Sequence, residues 1–333
     1  MAGPTTSRRT GTGATYPDTV VAPEEVRAFE AQRARLFAIA YRLLGSASEA
    51  EDAVQDTYLR WDGADRAGVR EPAAWLTRVL TNLCLTRLTS ARARRETYVG
   101  PWLPEPVLTA GAGADALGPL DTAEQRDSVS MAFLLLLERL TPPERAVFVL
   151  REAFGHSHRE IAAILDVTES ASQQLHHRAR QHVADGRPRF EPSPAERTRV
   201  ARRFLAAARG GDLAALEELL AADAVSWADG GGRVTAARLP VRGAAKVARY
   251  LGWLSGEVTG VEVVETEVNG QPGVAVLMDG ALGLIVVLEI ADGRVGTVRL
   301  TVNPDKLGFA AAQLGVSGIT AEGVRNWSAA RLR

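Results

Sequence analysis

Three helix starts lie close together in residues 141–185, and this spacing constrains the fold more than any other feature of the sequence. Thr141–Glu144 combines a capping threonine, prolines that open the helix, and a glutamate three residues after the threonine. Ser157–Glu160 repeats this capping box, which satisfies the free N–H groups at a helix start. Thr168 is placed to cap a third helix shortly after the second one ends. The sequence therefore predicts three helices joined by very short turns.

The second and third of these helices have the pattern of a helix-turn-helix. The third helix is predicted to bury Ala171, Leu175 and Ala179, which recur every fourth residue. It then turns outward side chains that can contact base edges or phosphates: Ser170, Gln173, Gln174, His177 and Arg178. An ordinary helical hairpin within a larger core is the alternative interpretation of this stretch.

An arginine-rich helix is predicted over residues 72–95. Its buried side is predicted to carry Trp75, Leu76, Val79, Leu80 and Leu83. Its arginines follow one another with no acidic residue among them: Arg78, Arg87, Arg92, Arg94 and Arg95. Such a run is typical of a surface that binds a phosphate backbone, with a solvated helix end as the alternative. The net charge of −1 does not by itself suggest a DNA-binding protein, but the local distribution of charge matters more.

An earlier helix, predicted at about 48–61, has an acidic stripe around one leucine. The stripe consists of Asp52, Gln55, Asp56 and Leu59, at the spacing of one helix face. The opposite face, with Ala50, Ala53 or Val54, Tyr58 and Trp61, is predicted to point to a core. The acidic stripe is either a solvated face or a docking surface for a basic, partly apolar partner helix.

These helices group into two predicted domains, at residues 24–97 and 123–188, joined by a flexible linker at 98–122 that is rich in proline and glycine. The first part of the linker, with Tyr98, Trp102 and Leu103, is too apolar for a mere spacer and is expected to dock onto a surface. A single helix at about 123–140 is expected to open the second domain. Residues 1–23 are polar and lack the apolar segment of a signal peptide, so they are predicted to be disordered.

The cysteine count and the length of the apolar stretches limit which sites the protein can have and where it is located. The sequence has one cysteine, Cys84, which allows neither an internal disulfide nor a cysteine-based metal site, and it is expected to be buried. No stretch approaches the roughly 18 apolar residues of a membrane span. We therefore expect a cytoplasmic protein without membrane contact, metal or cofactor.

Taken in this order, the acidic helix, the arginine-rich helix and the helix-turn-helix resemble the extracytoplasmic-function sigma factors of bacterial RNA polymerase. The resemblance covers roughly residues 25–188 and is carried by Asp52–Trp61, by Trp75 to Asn82 and by the helix-turn-helix. It implies two partners, which are core RNA polymerase, through its β′ clamp and β flap, and promoter DNA. It also implies that the loop at 62–71 captures an unstacked base of the −10 element.

The resemblance assigns individual residues to each partner. The implied contacts with core polymerase are Asp52, Gln55, Asp56 and Leu59. The implied contacts with the −10 element are Arg78, Asn82, Arg87, Arg92, Arg94 and Arg95. The implied contacts with the −35 element are Arg159, Thr168, Ser170, Gln173, Gln174, His177 and Arg178. The chain departs from the family at Thr86 and Thr89, where Asp and Arg are usual, and at Gln173, where Lys is common.

Residues 194–333 are predicted to form an α+β domain. Helices at Ala195–Arg209 and Leu213–Ala221, a strand at 224–229 and a helix near 243–254 precede four strand-like runs. Turns at Asn269, Asp279 and Asp292, each followed by glycine, separate these runs and favour hairpins. The expected fold is a cone of antiparallel sheet closed by helices.

This domain resembles the SnoaL-like, nuclear-transport-factor-like fold, which one group of these sigma factors carries as a C-terminal extension. Three motifs mark that group, here at 102–106, 229–233 and 303–307, with Arg233 in place of the usual Lys. The resemblance implies that the extension regulates the sigma domains, as a separate anti-sigma protein does elsewhere. The implied regulatory contacts are Trp102, Pro104, Asp229, Gly230, Gly231, Gly232, Arg233, Asn303, Pro304, Asp305, Lys306 and Leu307. A hairpin turn and a strand-end turn are the simpler interpretations of the last two motifs.

Two other functions fit parts of the sequence. A ligand-responsive repressor needs only a helix-turn-helix and a sensor, and it leaves the acidic and arginine-rich helices unexplained. An enzyme of the SnoaL type needs an acid–base pair, for which Asp223, Asp229, Asp279 and Glu289 are the carboxylates available. The domain has no histidine or cysteine, so we expect no catalytic residue, although its cone can enclose a pocket for a small-molecule ligand.

Overall fold

The computed structural model describes residues 23–111, 116–118, 123–184, 193–255, 261–320 and 322–323. Most of the predicted disordered lead and part of the predicted linker lie outside these residues. The first helical domain consists of α1 (Pro23–Leu44), α2 (Ala47–Asp62), a 3-10 helix (Arg66–Gly68) and α3 (Pro72–Glu96). The Ser46 side chain caps α2 by accepting a hydrogen bond from the Glu49 N–H, as the sequence predicts.

The buried stripe of α3 is shifted from the predicted one. Leu76 and Leu80 are buried as expected, but Trp75, Val79 and Leu83 are only half-buried. Their places in the core are taken by Thr77, Thr81, Cys84 and Leu88. The two threonines tolerate burial because each hydroxyl donates to the carbonyl four residues earlier, at 2.8 and 2.7 Å.

The second helical domain consists of α4 (Ala123–Asp127), α5 (Met131–Leu137), α6 (Pro142–Glu152), α7 (His158–Leu165) and α8 (Glu169–Ala184). Both predicted capping boxes are present, at Thr141 and Ser157. The single helix expected over 123–140 is wrong. It breaks because Ser130 caps a new helix by accepting from the Phe133 N–H, and the Ser128 hydroxyl donates back to the Gln125 carbonyl.

The two helical domains pack against each other and share one core. Arg42 of α1 donates to the Ser128 hydroxyl at 3.1 and 3.0 Å. Arg145 of α6 is buried, donates to the Arg42 carbonyl and pairs with Glu138, which also pairs with Arg95 of α3. The apolar first part of the linker docks as predicted and is not a flexible spacer, since residues 98–109 run in an extended path that is buried from Leu103 to Thr109.

The C-terminal domain is the predicted α+β fold. Its helices are α9 (Pro194–Arg209), α10 (Leu213–Leu219), α11 (Ala244–Ser255) and α12 (Gly308–Gln313), with a 3-10 helix at Pro304–Lys306. Its strands are β1 (Leu220–Asp229), β2 (Val241–Arg242), β3 (Val261–Val268), β4 (Gln271–Met278), β5 (Ala281–Ala291) and β6 (Arg294–Thr301). Strand β2 and helix α12 are not predicted from the sequence, because they are too short to show a periodic pattern.

The six strands form one sheet in the order β2-β1-β6-β5-β4-β3, in which only β1 and β6 are parallel. The predicted hairpin turns are confirmed, since Asn269, Asp279 and Asp292 have φ angles of 54°, 51° and 51°. One face of the sheet packs on α9, α10 and α11. The other face packs on α12 and on the extended segment that joins the helical domains.

No helix among the described residues is long and apolar enough to cross a membrane.

Cys84 offers a test of the shared helical core. Its side chain is fully buried, and burial raises the pKa of the thiol to about 12. Because the thiolate is the reactive form, we expect Ellman's reagent at pH 8 to modify the native chain at least about 100-fold more slowly than the chain in guanidinium. Rapid reaction of the native thiol would contradict the packing described for α3.

Candidate functional surfaces and the buried junction between them

The acidic stripe of α2 is exposed, and its residues differ in how closely Arg87 holds them. Asp52, Gln55 and Leu59 face solvent, and the Leu59 side chain is 61% exposed although it is apolar. Asp56 is held by the Arg87 guanidinium at 2.6 Å, and Asp52 lies 3.9 Å from the same group. The arrangement is a mainly acidic surface with one exposed leucine, which fits a basic partner that also has apolar side chains.

The arginine-rich helix divides into outward and inward residues. Arg78 and Asn82 are exposed on α3. Arg87 donates to the Glu49 carbonyl and to Asp56, and therefore ties α3 to α2. Arg95 donates to the Leu44 carbonyl, pairs with Glu138 and lies 3.9 Å from the centre of the Trp102 ring. The side chains of Arg92 and Arg94 lie outside the described residues.

The helix-turn-helix presents its predicted contacts to solvent. Arg159, Ser170, Gln173, Gln174, His177 and Arg178 are all exposed. Thr168 caps α8, since its hydroxyl accepts from the Ala171 N–H at 3.1 Å. Arg178 also lies 3.4 Å from Glu144, yet its side chain remains 57% exposed.

The residues that fix the angle between α7 and α8 are not revealed by the sequence pattern. His158 Nδ1 lies 2.9 Å from the Ser172 hydroxyl, which is fully buried between the two helices. Asp166 turns the chain between them with a φ of 56°, a left-handed conformation that aspartate tolerates. Desolvation lowers the pKa of His158, which favours the neutral imidazole that such a packed position needs.

A buried network around Asp229 joins the three motifs of residues 102–106, 229–233 and 303–307. The Asp229 carboxylate is fully buried and accepts hydrogen bonds from the Tyr98 hydroxyl at 2.5 Å and the Leu103 N–H at 2.8 Å. Lys306 Nζ lies 2.7 Å from the same carboxylate and donates to the Leu103 carbonyl at 2.6 Å. A carboxylate and an ammonium group from the C-terminal domain thus hold both backbone groups of one linker residue.

Lys306 is enclosed on its other sides by aromatic rings. Its Nζ lies 4.4 Å from the centre of the Trp102 ring and 4.7 Å from that of Tyr98. Such cation–π contacts offset part of the cost of burying the charge. Burial still lowers the pKa of Lys306 to about 8, although Asp229 acts in the opposite direction.

The glycine run at 230–232 is required by close packing. A Cβ on Gly231 would overlap the Asn303 side-chain nitrogen, and one on Gly230 would lie 2.8 Å from the Val234 carbonyl oxygen. Asn303 uses that nitrogen to donate to the Tyr98 hydroxyl at 2.9 Å. The remaining members of these motifs differ in burial: Pro104 and Leu307 are buried, Trp102 and Pro304 are half-buried, and Arg233 and Asp305 form an exposed ion pair at 3.0 Å.

Glu105 and Asn269 attach the linker to all three domains. The Glu105 carboxylate accepts from the hydroxyls of Ser46 and Ser48, at 2.7 and 2.9 Å. The Asn269 side chain donates to the Tyr41 hydroxyl and the Val129 carbonyl, at 2.6 and 2.8 Å, and accepts from the linker Val107 N–H at 3.1 Å. Asn269 is predicted only as a turn residue and Tyr98 only as part of an apolar segment that docks, because neither pattern reveals the distant partner.

The carboxylates weighed for catalysis have structural surroundings. Asp229 belongs to the buried network, Asp279 lies in a hairpin turn, and Glu289 pairs with Arg299 at 2.7 Å. Asp223 is exposed on β1. Among the described residues, no group of three or more histidine, cysteine or acidic side chains is arranged to hold a metal ion. Three of these four carboxylates therefore have structural roles.

Comparison with known proteins identifies relatives for each part. The sigma-70 region 2 family matches residues 28–94, and the sigma-70 region 4 family matches residues 130–183. The ECF RNA polymerase sigma factor SigJ of Mycobacterium tuberculosis is 38% identical over 85% of this chain and 93% of its own length. SigG of the same species is 29% identical over 81% of this chain and 78% of its own length. The crystal structure of SigJ superposes with a TM-score of 0.67 and covers 85% of this chain and 98% of that one.

The Asp229–Lys306 pair can be tested by removing one charge. Asp229→Asn leaves Lys306 buried without a counter-charge, so we expect the free energy of unfolding to fall by about 3–5 kcal/mol. Asp305→Asn removes the exposed partner of Arg233 and should cost no more than about 1 kcal/mol. Urea unfolding followed by tryptophan fluorescence measures both, and equal losses would show that burial of the pair is not what matters.

Proposed function

This chain belongs to the extracytoplasmic-function RNA polymerase sigma factors, and we propose that it binds core polymerase and directs it to promoter DNA under the control of its own C-terminal domain. The observation that carries the proposal is the junction itself. One linker segment is held by the C-terminal domain and, through Glu105 and Asn269, also bridges both helical domains. With these contacts, the C-terminal domain can restrain the helical domains without a separate inhibitor. The proposed location is the cytoplasm, where the polymerase works.

The proposed polymerase-docking surface is the exposed stripe of α2. Asp52 and Gln55 supply polar contacts, and Leu59 supplies an apolar contact at the edge of the acidic patch. Exposed acidic groups attract a basic partner over several ångströms, and the leucine adds burial once the partner has docked. Asp56 is assigned a positioning role, since its bond to Arg87 fixes α2 against α3. The β′ clamp is the proposed partner of this surface.

The proposed promoter contacts lie on α3 and α8. Arg78 and Asn82 are exposed on α3, and Gln173, Gln174 and Arg178 are exposed on α8. Arginine forms paired hydrogen bonds with guanine or phosphate, and glutamine forms them with adenine. Arg87 and Arg95 are not proposed as DNA contacts in this arrangement, because carboxylates and backbone carbonyls hold their guanidinium groups.

The packed arrangement of the helical domains has a functional consequence. Two promoter elements about two helical turns apart are separated by roughly 70 Å of DNA. Domains that share one core and are bridged by Arg42, Arg145 and Glu138 cannot reach both elements at once. We therefore assign the described arrangement to a closed state, from which the domains must separate before a promoter is bound.

The C-terminal domain is proposed to set the balance between the closed and open states. During opening, the C-terminal domain must either move together with one helical domain or release the linker from Asp229 and Lys306. Release exposes two buried charges to water, so the strength of this network sets the population of the open state.

A small-molecule ligand for the C-terminal domain stays a prediction. Within its interior, the Ser226 hydroxyl is buried and has no hydrogen-bond partner among the described residues.

The docking surface can be tested with purified core polymerase. The combined substitution Asp52→Ala, Gln55→Ala and Leu59→Ala removes three exposed side chains, so helix content should be unchanged. We expect the Kd for core polymerase to rise about tenfold or more, because the acidic and apolar contacts are lost together. The control Glu217→Ala with Glu218→Ala removes exposed acids from α10 and should leave the Kd unchanged. Equal affinities for the wild type and the α2 variant would contradict the assignment.

Domain separation can be measured by energy transfer between dyes on Arg33→Cys in α1 and Ala163→Cys in α7, in a Cys84→Ser background. Transfer should be high in the free chain and should fall when core polymerase is added, because the helical domains then lie tens of ångströms apart. Adding Asp229→Asn should lower transfer without polymerase, whereas adding Asp305→Asn should not. Unchanged transfer on saturation with polymerase would contradict a closed-to-open transition.

A further inference from the structure

A second positively charged surface lies on the C-terminal domain, around α11. Residues 233–253 contain five cationic side chains and no aspartate or glutamate. We define the α11 surface as the exposed residues Arg238, Leu239, Arg242, Lys246, Arg249 and Trp253. Neither the sigma-like motifs nor the regulatory motifs include any of these six residues.

The helix spacing places these side chains together. Lys246, Arg249, Tyr250 and Trp253 recur at the intervals that define one face of a helix. The Tyr250 and Trp253 rings stack, with centres 6.5 Å apart and planes 20° apart. The Tyr250 side chain is also hydrogen-bonded to the backbone of Ala237, which brings the loop with Arg238 and Leu239 to the same face. The result is one surface built on a rigid helix.

Two apolar side chains on this surface are exposed to an unusual degree. Leu239 is 79% exposed and Trp253 is 64% exposed. Large apolar side chains that stand among cations favour a ligand that offers both flat apolar groups and negative charge. Nucleotides meet that description, because each has a base and a phosphate.

The cations of the α11 surface are not neutralised by the protein. Among the described residues, Arg238, Arg242, Lys246 and Arg249 form no ion pair with a carboxylate. Two exposed arginines of neighbouring α9 differ, since Arg199 lies 3.8 Å from Glu196 and Arg209 lies 3.3 Å from Glu265. The positive charge of the α11 surface is therefore available to a partner.

The position of the surface argues for DNA over a lipid membrane. Gly100 lies against Arg238, where a Cβ on the glycine would be 3.9 Å from the Arg238 Cα. Gly232 likewise lies against Val99. Because α3 ends at Glu96, the α11 surface begins within a few residues of the arginine-rich end of that helix. A strand that follows α3 would therefore pass directly onto the α11 surface, and this continuity persists in the open state when the C-terminal domain moves together with the first helical domain.

We infer that the α11 surface binds single-stranded DNA through its phosphates and stacks a base on Trp253. Its place beside α3 makes it an extension of the proposed promoter-contact surface, and in that respect the inference rests on the proposed function. Arginine suits this role because its planar group pairs with phosphate and stacks on bases. The stacking of Tyr250 behind Trp253 holds the indole in place for a base.

The test uses the full chain and a fluorescein-labelled 20-nucleotide oligothymidine, with binding followed by fluorescence anisotropy at several salt concentrations. The combined substitution Arg242→Gln, Lys246→Gln and Arg249→Gln should weaken binding and reduce the slope of log K against log salt by about 2. Trp253→Ala should weaken binding about tenfold and leave that slope unchanged. Arg199→Gln, Arg202→Gln and Arg203→Gln form the control, with three exposed arginines removed from α9 and little effect expected.

Several outcomes would overturn the inference. Wild-type affinity and slope in both α11 variants would do so, as would an equal loss in the α9 control. If the α11 variants lost binding to vesicles of anionic phospholipid but kept oligothymidine binding, the surface would be assigned to membranes instead. Core polymerase binding by the α11 variants is measured separately. This measurement distinguishes failure of this inference from failure of the proposed function. A wild-type chain that binds oligothymidine but not core polymerase would overturn only the latter.

Discussion

The structure depends on a buried ion pair whose environment is completed by a different part of the chain. Asp229 and Lys306 lie 2.7 Å apart, and both are excluded from water. An isolated buried pair recovers little of its desolvation energy unless further hydrogen bonds satisfy both groups. Here the N–H and carbonyl of Leu103 supply those bonds, together with the Tyr98 hydroxyl. The pair is therefore well satisfied only while the linker is in place, which makes it suited to a switch.

The linker is the element through which the domains influence one another. Leu103 is held by the C-terminal domain, Glu105 by the serines that open α2, and Val107 by Asn269. These contacts alternate between partners within a few residues of extended chain, so a shift of the linker disturbs several of them at once. Coupling of this kind needs no long pathway, because one segment contacts each domain directly.

The sequence predicts local structure here far better than it predicts partners. Capping boxes at Thr141 and Ser157 and the turns at Asn269, Asp279 and Asp292 were all visible because each depends on neighbours within four residues. Burial of Thr81 was not visible, since its hydroxyl is satisfied by its own helix. The three motifs are predicted to make regulatory contacts, but the sequence does not predict that they meet around Asp229. Their geometry depends on Tyr98, which no motif includes. Periodicity shows that a face is buried, but it does not show which distant segment covers it.

Arginine shows most clearly why residue type alone does not define a DNA-binding surface. Arg87 and Arg95 belong to the arginine-rich helix α3, yet internal acceptors hold both guanidinium groups. Arg87 is held within the first helical domain, so separation of the domains leaves it where it is. Arg95 is held by Glu138 of the second domain and by the ring of Trp102 in the linker. In the proposed opening, Arg95 would lose its contact with Glu138 and keep its hydrogen bond to the Leu44 carbonyl of its own domain. Separation of the two helical domains would thus return a positive charge to the proposed promoter-contact helix, so that release and the proposed DNA binding favour each other.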